Sequence, residues 1–341
     1  MRRLILFLLC LYGPMAYGGV PIDFSRVGYM WGEKQIPDYP VKVVLDAPLD
    51  GADMTAVLQE ALDNVEAPGA VLLKAGVYNV SGSLNLKRDG VVLRGEGDKT
   101  ILVATGTEQR TFIVLGKDSQ RSVGDKSPII DKFTPVGQMW VRVKNPALFV
   151  VGDRVAIGCR VNDRWISDLR MDQIAQNPSG RVKQWEARKY TMRWERIVVR
   201  VHGDRIWFDN PIVMELDSTY LTSAWVEHVE WDRTVQSGVE NLKLISEYDE
   251  SELMTQPSGK FKGLVYCADE DHAWTAINVC AAEHCWVRNV TSAHFVYACV
   301  SMRPGAKNIT VRDCLSTEPV SVLTGSRRYA FSLAGGELCL F

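Results

Sequence analysis

The densest group of side chains able to do chemistry is Asp269-Glu270-Asp271-His272, followed by Ala273-Trp274. Two carboxylates at one site can share acid and base roles in cleaving a glycosidic bond. Clustered carboxylate oxygens also suit Ca²⁺, for which Asp269 and Asp271 are the candidate ligands. A histidine can act as base near neutral pH, so the group equally allows removal of a proton α to a carboxylate. The competing structural reading is a solvated acidic turn. A second histidine, His294, follows in Ser292-Ala293-His294-Phe295.

These residues lie in a repeating context. Cys285-Trp286-Val287-Arg288-Asn289-Val290 matches Ile309-Thr310-Val311-Arg312-Asp313-Cys314 at an offset of 24 residues, and Asn241-Leu242-Lys243-Leu244-Ile245 is a weaker copy. Such a period with short alternating strands is the mark of a β-solenoid, whose coils bury their inward side chains only by stacking. One period before His294 is Glu270, which places the two on one face if the register holds. Arg288 and Arg312 recur at the same interval and are candidates to grip carboxylates by bidentate contacts. Asn289 and Asp313 are expected in a turn ladder, bonded to stacked backbone.

Upstream, Leu58, Ala61, Leu62 and Val65 fall at helical spacing, which predicts a helix over 54–65 with Asp53 or Thr55 as cap. Short β-type runs at Val71-Leu73, Val77-Val80, Leu84-Leu86, Val91-Leu93 and Ile101-Val103 follow, punctuated by glycine. From about 107 to 237 the pattern changes. Phe149–Ile157 and Val199–Trp207 read as strand–turn–strand units on Gly-Asp turns, flanking a polar segment. Seven of the ten tryptophans (140, 165, 185, 194, 207, 225, 231) fall in or beside this stretch, and as a group they suit a wall for a glycan.

The run GADMTAVLQEALDN, the run GAVLLKAGVYNVSGSLNLKRDGVVLRGEGDKTIL and the C-terminal coils together resemble the pectate-lyase-like superfamily of bacterial proteins. The resemblance covers roughly residues 50–105 and 238–317. It implies an all-β, right-handed parallel β-helix with an N-terminal capping helix, and a lyase or glycoside hydrolase acting on an acidic, pectin-like polysaccharide. The non-catalytic alternative is a glycan-binding or adhesin-type β-helix. The family's catalytic patterns are missing, apart from one Arg-x-Lys at Arg181-Val182-Lys183. The candidates therefore come from the residues themselves: Asp269, Glu270, Asp271, His272 and His294 for catalysis, and Arg288, Arg312 and Trp274 for substrate.

The expected organisation is a signal peptide at 1–19, a leader, helix and first coils at 20–106, a β-rich insertion at 107–237, and further coils at 238–341. Arg2 and Arg3 before the apolar run Leu4–Leu11, with small residues near Gly18, are the parts of a secretory signal, which implies a secreted or periplasmic protein; a monomer is expected. The last residues read as a coil begun and left uncapped, so a truncated product is also expected. Net charge is −2, from 39 basic and 41 acidic residues. That balance gives no electrostatic case for nucleic acid or an anionic membrane. The seven cysteines after the signal fit no metal or disulfide spacing and read as buried free thiols.

Overall fold

The computed structural model describes residues 23–176 and 182–341. The expected signal peptide and Arg181 lie outside the described residues. The chain divides into two units, one of residues 24–123 and 229–341, the other centred on 124–228. No helix among the described residues is long and apolar enough to cross a membrane.

The first unit is a stack of coils in which strands repeat in three columns, every column pairing in parallel. The first column runs Val41–Leu45, Gly69–Leu73, Val91–Arg94, Gly238–Ser246, Trp286–Ala293, Thr310–Arg312. The second runs Gly76–Val80 and Thr100–Ala104, then uses the far halves of Gly238–Ser246 and Trp286–Ala293, and ends on Leu315–Thr317. The third runs Leu84–Leu86, Thr111–Leu115, Thr275–Val279, Ala298–Met302, Phe331–Leu333.

Identical register brings like residues on top of one another. Val71, Leu93, Val239, Val287 and Val311 form one continuous interior row, all buried in a single core with Leu84, Ile113, Ile277 and Val300 from the third column. Each such side chain contributes about 1.5–3 kcal/mol by leaving water. No coil gains this alone, because half of each interior contact belongs to its neighbour.

Between the first two columns the chain turns through a left-handed residue: Asn241 (φ 58°), Asn289 (φ 51°) and Asp313 (φ 54°). Asparagine and aspartate tolerate this conformation better than other non-glycine residues. The Asn289 Nδ2 donates to Asn241 Oδ1 at 2.9 Å, so the ladder runs from side chain to side chain rather than to backbone.

The helix spans Thr55–Asn64, with Leu58 and Leu62 in the core. Gln59 exchanges two hydrogen bonds with the backbone of Asn85, at 2.8 and 3.0 Å, so its amide satisfies the edge of the strand Leu84–Leu86. Met54 occupies the position before the helix without a side-chain bond, but Asp53 Oδ1 accepts from the N–H of Thr55, the first helical residue, at 3.3 Å and from its hydroxyl at 2.7 Å. Asp53 also accepts from the Ser81 N–H and hydroxyl, and Thr55 Oγ1 accepts from the N–H groups of Ser81 and Gly82. These short side chains tie the helix start to a neighbouring loop.

The second unit is an antiparallel sheet in the order Trp140–Arg142, Arg205–Phe208, Thr191–His202, Arg154–Val161, Leu221–Glu230, Ser122–Pro128. Its own core holds Val141, Val155, Ile157, Val198, Ile206, Phe208 and Val226. The Val199–Trp207 hairpin forms around Gly203-Asp204 as expected. The Phe149–Ile157 unit does not. Its first arm leaves Val150 and Val151 exposed, and the strand begins at Arg154. Asp153 explains the difference, since its carboxylate accepts from Val150 N and bonds His228 at 3.0 Å, folding the arm back as a loop. A short helix, Asp163–Asp168, capped by the Asn162 side chain, lies in the polar segment read as lacking period.

Candidate functional site

The period of 24 breaks between the coils that start at Gly238 and Trp286, and this break builds a pocket. Trp286 pairs with Thr310, 24 residues on, but Gly238 pairs with Trp286, 48 residues on. The extra chain is an excursion between the strands ending at Ser246 and starting at Thr275, and it includes a small hairpin of Leu253–Thr255 with Val265–Cys267. The cavity beside it has a volume of about 910 Å³ and is lined by Ser246–Glu250, Glu252, Asp269–His272 and His294, among others. Sequence reasoning placed Glu270 one coil below His294. The register instead pairs Ala293 with Ile245, because the lower coil is twice the expected length. His294 and the acidic group still meet, by way of the excursion.

The four residues of the acidic group differ in environment. Asp269 is buried, and its two oxygens accept from Asp249 N and Asp271 N, both at 2.8 Å. Glu270 is held bidentate by Arg327, at 2.6 and 2.9 Å, and this bond holds its carboxyl below the usual range. The Arg327 guanidinium in turn lies 4.9 Å over Trp274, so one face of that indole is already covered. Asp271 is exposed and makes no ion pair with any described residue.

His272 is 1% exposed. Burial pushes its pKa down, outweighing the opposing pull of Asp269, and its Nδ1 bonds Ser246 Oγ at 2.9 Å. His294, half-buried, sits at φ 73° with Nδ1 3.3 Å from the Ser246 carbonyl and Nε2 3.3 Å from Glu318. Tyr248 packs edge-on against its ring, at 4.9 Å between centroids.

The expected Ca²⁺ site does not fit these residues. Asp269 turns both oxygens to backbone N–H groups, and no cluster of three ligating side chains occurs among the described residues.

The arginine ladder also differs from expectation. Arg288 is not free to grip a carboxylate. Its Nε donates to Glu240 at 2.7 Å, Arg94 pairs with the same carboxylate from below, and Trp286 Nε1 donates to it at 2.9 Å. Glu240 is wholly buried, because Tyr29 and Tyr39 of the leader cover Trp286 at 5.4 and 5.9 Å. A carboxylate so buried needs these donors. Arg312, one coil on, is exposed, with Asp313 at 3.6 Å.

The pocket residues missed in the sequence include Ser246, Glu247, Tyr248, Asp249, Glu250 and Glu252, the last five from the run 247–252. Four acids in six residues directly after a core strand were the available signal. The seven described cysteines are free, and burial pushes Cys285 and Cys299 up to about 12, too high for a thiolate to form near neutral pH.

No protein-family model and no curated protein matches the chain. Among solved structures, it is similar to the tailspike protein gp49 of Pseudomonas phage LKA1, with 14% identity over 83% of this chain and 39% of that one (TM-score 0.46). It is also similar to the tailspike gp61 of Pseudomonas phage phi297, with 14% identity over 83% and 41% (TM-score 0.38). A further similarity is to a glycoside hydrolase, with 10% identity over 81% and 73% (TM-score 0.28). The chain thus spans about two fifths of the length of the two tailspikes.

Proposed function

We propose that this protein is an exported, carbohydrate-active right-handed β-helix that hydrolyses a glycosidic bond in the pocket around Asp271. The observation that carries the reading is the composition of the pocket: carboxylates and two histidines, with no lysine or arginine among its described lining residues. Hydrolysis needs one carboxyl group to protonate the leaving oxygen and another to act as base or nucleophile. β-Elimination needs the substrate carboxylate neutralised. Here Arg327, which contacts the pocket through Glu270, is engaged by that carboxylate, so hydrolysis suits the site better. We assign Asp271 as one of the two carboxyls and take the other from the Glu247–Glu252 segment. We take Glu270 and Asp269 as positioning residues and assign His294, 3.3 Å from Glu318, a proton-relay role.

A second reading is binding without cleavage. It is favoured by the structural use of Asp269 and Glu270, which leaves few free acids. Incubation with a panel of polysaccharides separates the two. Hydrolysis gives new reducing ends without unsaturated products, and a chelator leaves the rate unchanged. Unsaturated uronate ends would overturn the assignment in favour of elimination, and saturable binding with no new ends would favour the binding module.

A further inference from the structure

The acidic pocket is a poor place to hold a run of uronates, yet the other unit carries a face of opposite character. On the antiparallel sheet, Arg200 pairs across to Trp207, and Trp207 pairs across to Trp140. The three side chains therefore form one row over three strands, about 10 Å across at the usual strand spacing. Arg205 lies two residues before Trp207 and faces the same way. Ile206, Val141 and Val198 point to the core on the other side.

The two indoles are half-buried and lie 6.2 Å apart, tilted by 42°. The Arg200 guanidinium sits 4.8 Å from the Trp207 ring, and that of Arg205 sits 4.4 Å from Trp140. Both arginines are exposed, and neither forms an ion pair with a described residue. Their neighbour Arg142, by contrast, is matched by Asp204 and Asp131.

We infer that this face, Arg200–Trp207–Trp140 with Arg205, is a separate binding surface for an acidic polysaccharide. Each indole carries a guanidinium over one face, so a pyranose ring would meet a composite of exposed indole edge and arginine rather than a bare ring. Each guanidinium, held by the ring beneath it rather than by a carboxylate, keeps its forked donors for a uronate. Stacking on the rings also restricts both arginines before a ligand arrives, which lowers the ordering cost of binding. A single-stranded nucleic acid would also stack, but it calls for a track of cations along its phosphates, and this row has two. The choice of a glycan rests on the polysaccharide reading above. The existence of the surface does not depend on cleavage.

Affinity electrophoresis of the full chain, in gels containing polygalacturonate or dextran, tests the proposal. The wild type should be retarded by polygalacturonate and not by dextran. Asp271→Ala should be retarded equally. The Arg200→Gln/Arg205→Gln double variant, changed only at exposed positions, should bind at least tenfold more weakly, and Trp207→Ala should weaken binding as well. Absence of retardation, equal retardation in dextran, an unaltered double variant, or preferential displacement by a single-stranded oligonucleotide would each overturn it. Retardation of a wild type that cleaves no polysaccharide would count against the pocket and leave this surface standing.

Discussion

The acidic pocket and the aromatic–basic face are built by opposite means. In the coil stack, strict repetition makes rows of like residues, and a row of like charges is tolerable only where something breaks it. Glu240 between Arg94 and Arg288 is one such break, and the excursion after Ser246 is another. The pocket arises where the 24-residue period fails. In the insertion there is no repeat to break. Its face comes from cross-strand neighbours on an antiparallel hairpin, where each residue is free to differ from its partner. Repetition supplies a scaffold, and departures from it supply the chemistry.

Four changes sharpen this contrast, in decreasing order of effect. Glu240→Ala leaves Arg94, Arg288 and the Trp286 N–H without their common acceptor under the leader, and breaking a buried ion pair in this way costs about 3–5 kcal/mol. Chemical denaturation should show the loss. A change under 1 kcal/mol would mean the leader lifts away and water replaces the carboxylate. Ile157→Ala, in the separate core of the insertion, should cost about 2–5 kcal/mol through the cavity it leaves. Because the two sites share no partner, the double variant should add to within about 0.5 kcal/mol, and strong coupling would break the two-core description.

Asn289→Ala removes a side-chain rung and puts a Cβ-bearing residue without local hydrogen bonding at φ 51°. About 1–2 kcal/mol is expected from the two effects together. Asn289→Gly should recover part of that, since glycine accepts the left-handed turn without strain.

The smallest effect is a pH slope. Burial lowers the folded-state pKa of His272 below its unfolded value of about 6.5. The unfolded chain then binds more protons, so this contribution to stability is complete above about pH 6.5 and is lost as pH falls through the lowered folded value. His272→Gln should flatten the stability profile just below pH 6.5 relative to wild type. Parallel profiles would show that the ring takes up a proton while still folded.

Much of the coil stack was legible because its signal is repeated. Val287 and Val311, Arg288 and Arg312, Asn289 and Asp313 each announce the same rung twice, and the helix declares itself through Leu58 and Leu62. The pocket was half legible. Asp269–His272 stand out by charge density, but their height in the stack depends on the length of an excursion that has no period of its own. Arg288 was misjudged because its partner Glu240 lies 48 residues away and is covered by a leader whose contacts leave no local trace. The Asp153 loop was read as a hairpin because Gly-Asp signals a turn without saying which of its flanks pairs. The stacked pair Arg200 and Trp207 needed the register of a bulged hairpin before either side chain could be given a face.

The most direct test of the division between a cleaving pocket and a holding face is Asp271→Ala, assayed for reducing-end release and for polygalacturonate retardation in the same preparation. A general acid or base contributes typically 10²–10⁴-fold. Release should therefore fall at least a hundredfold while retardation stays at the wild-type level. Undiminished release from a folded variant, or retardation lost together with release, would contradict the account.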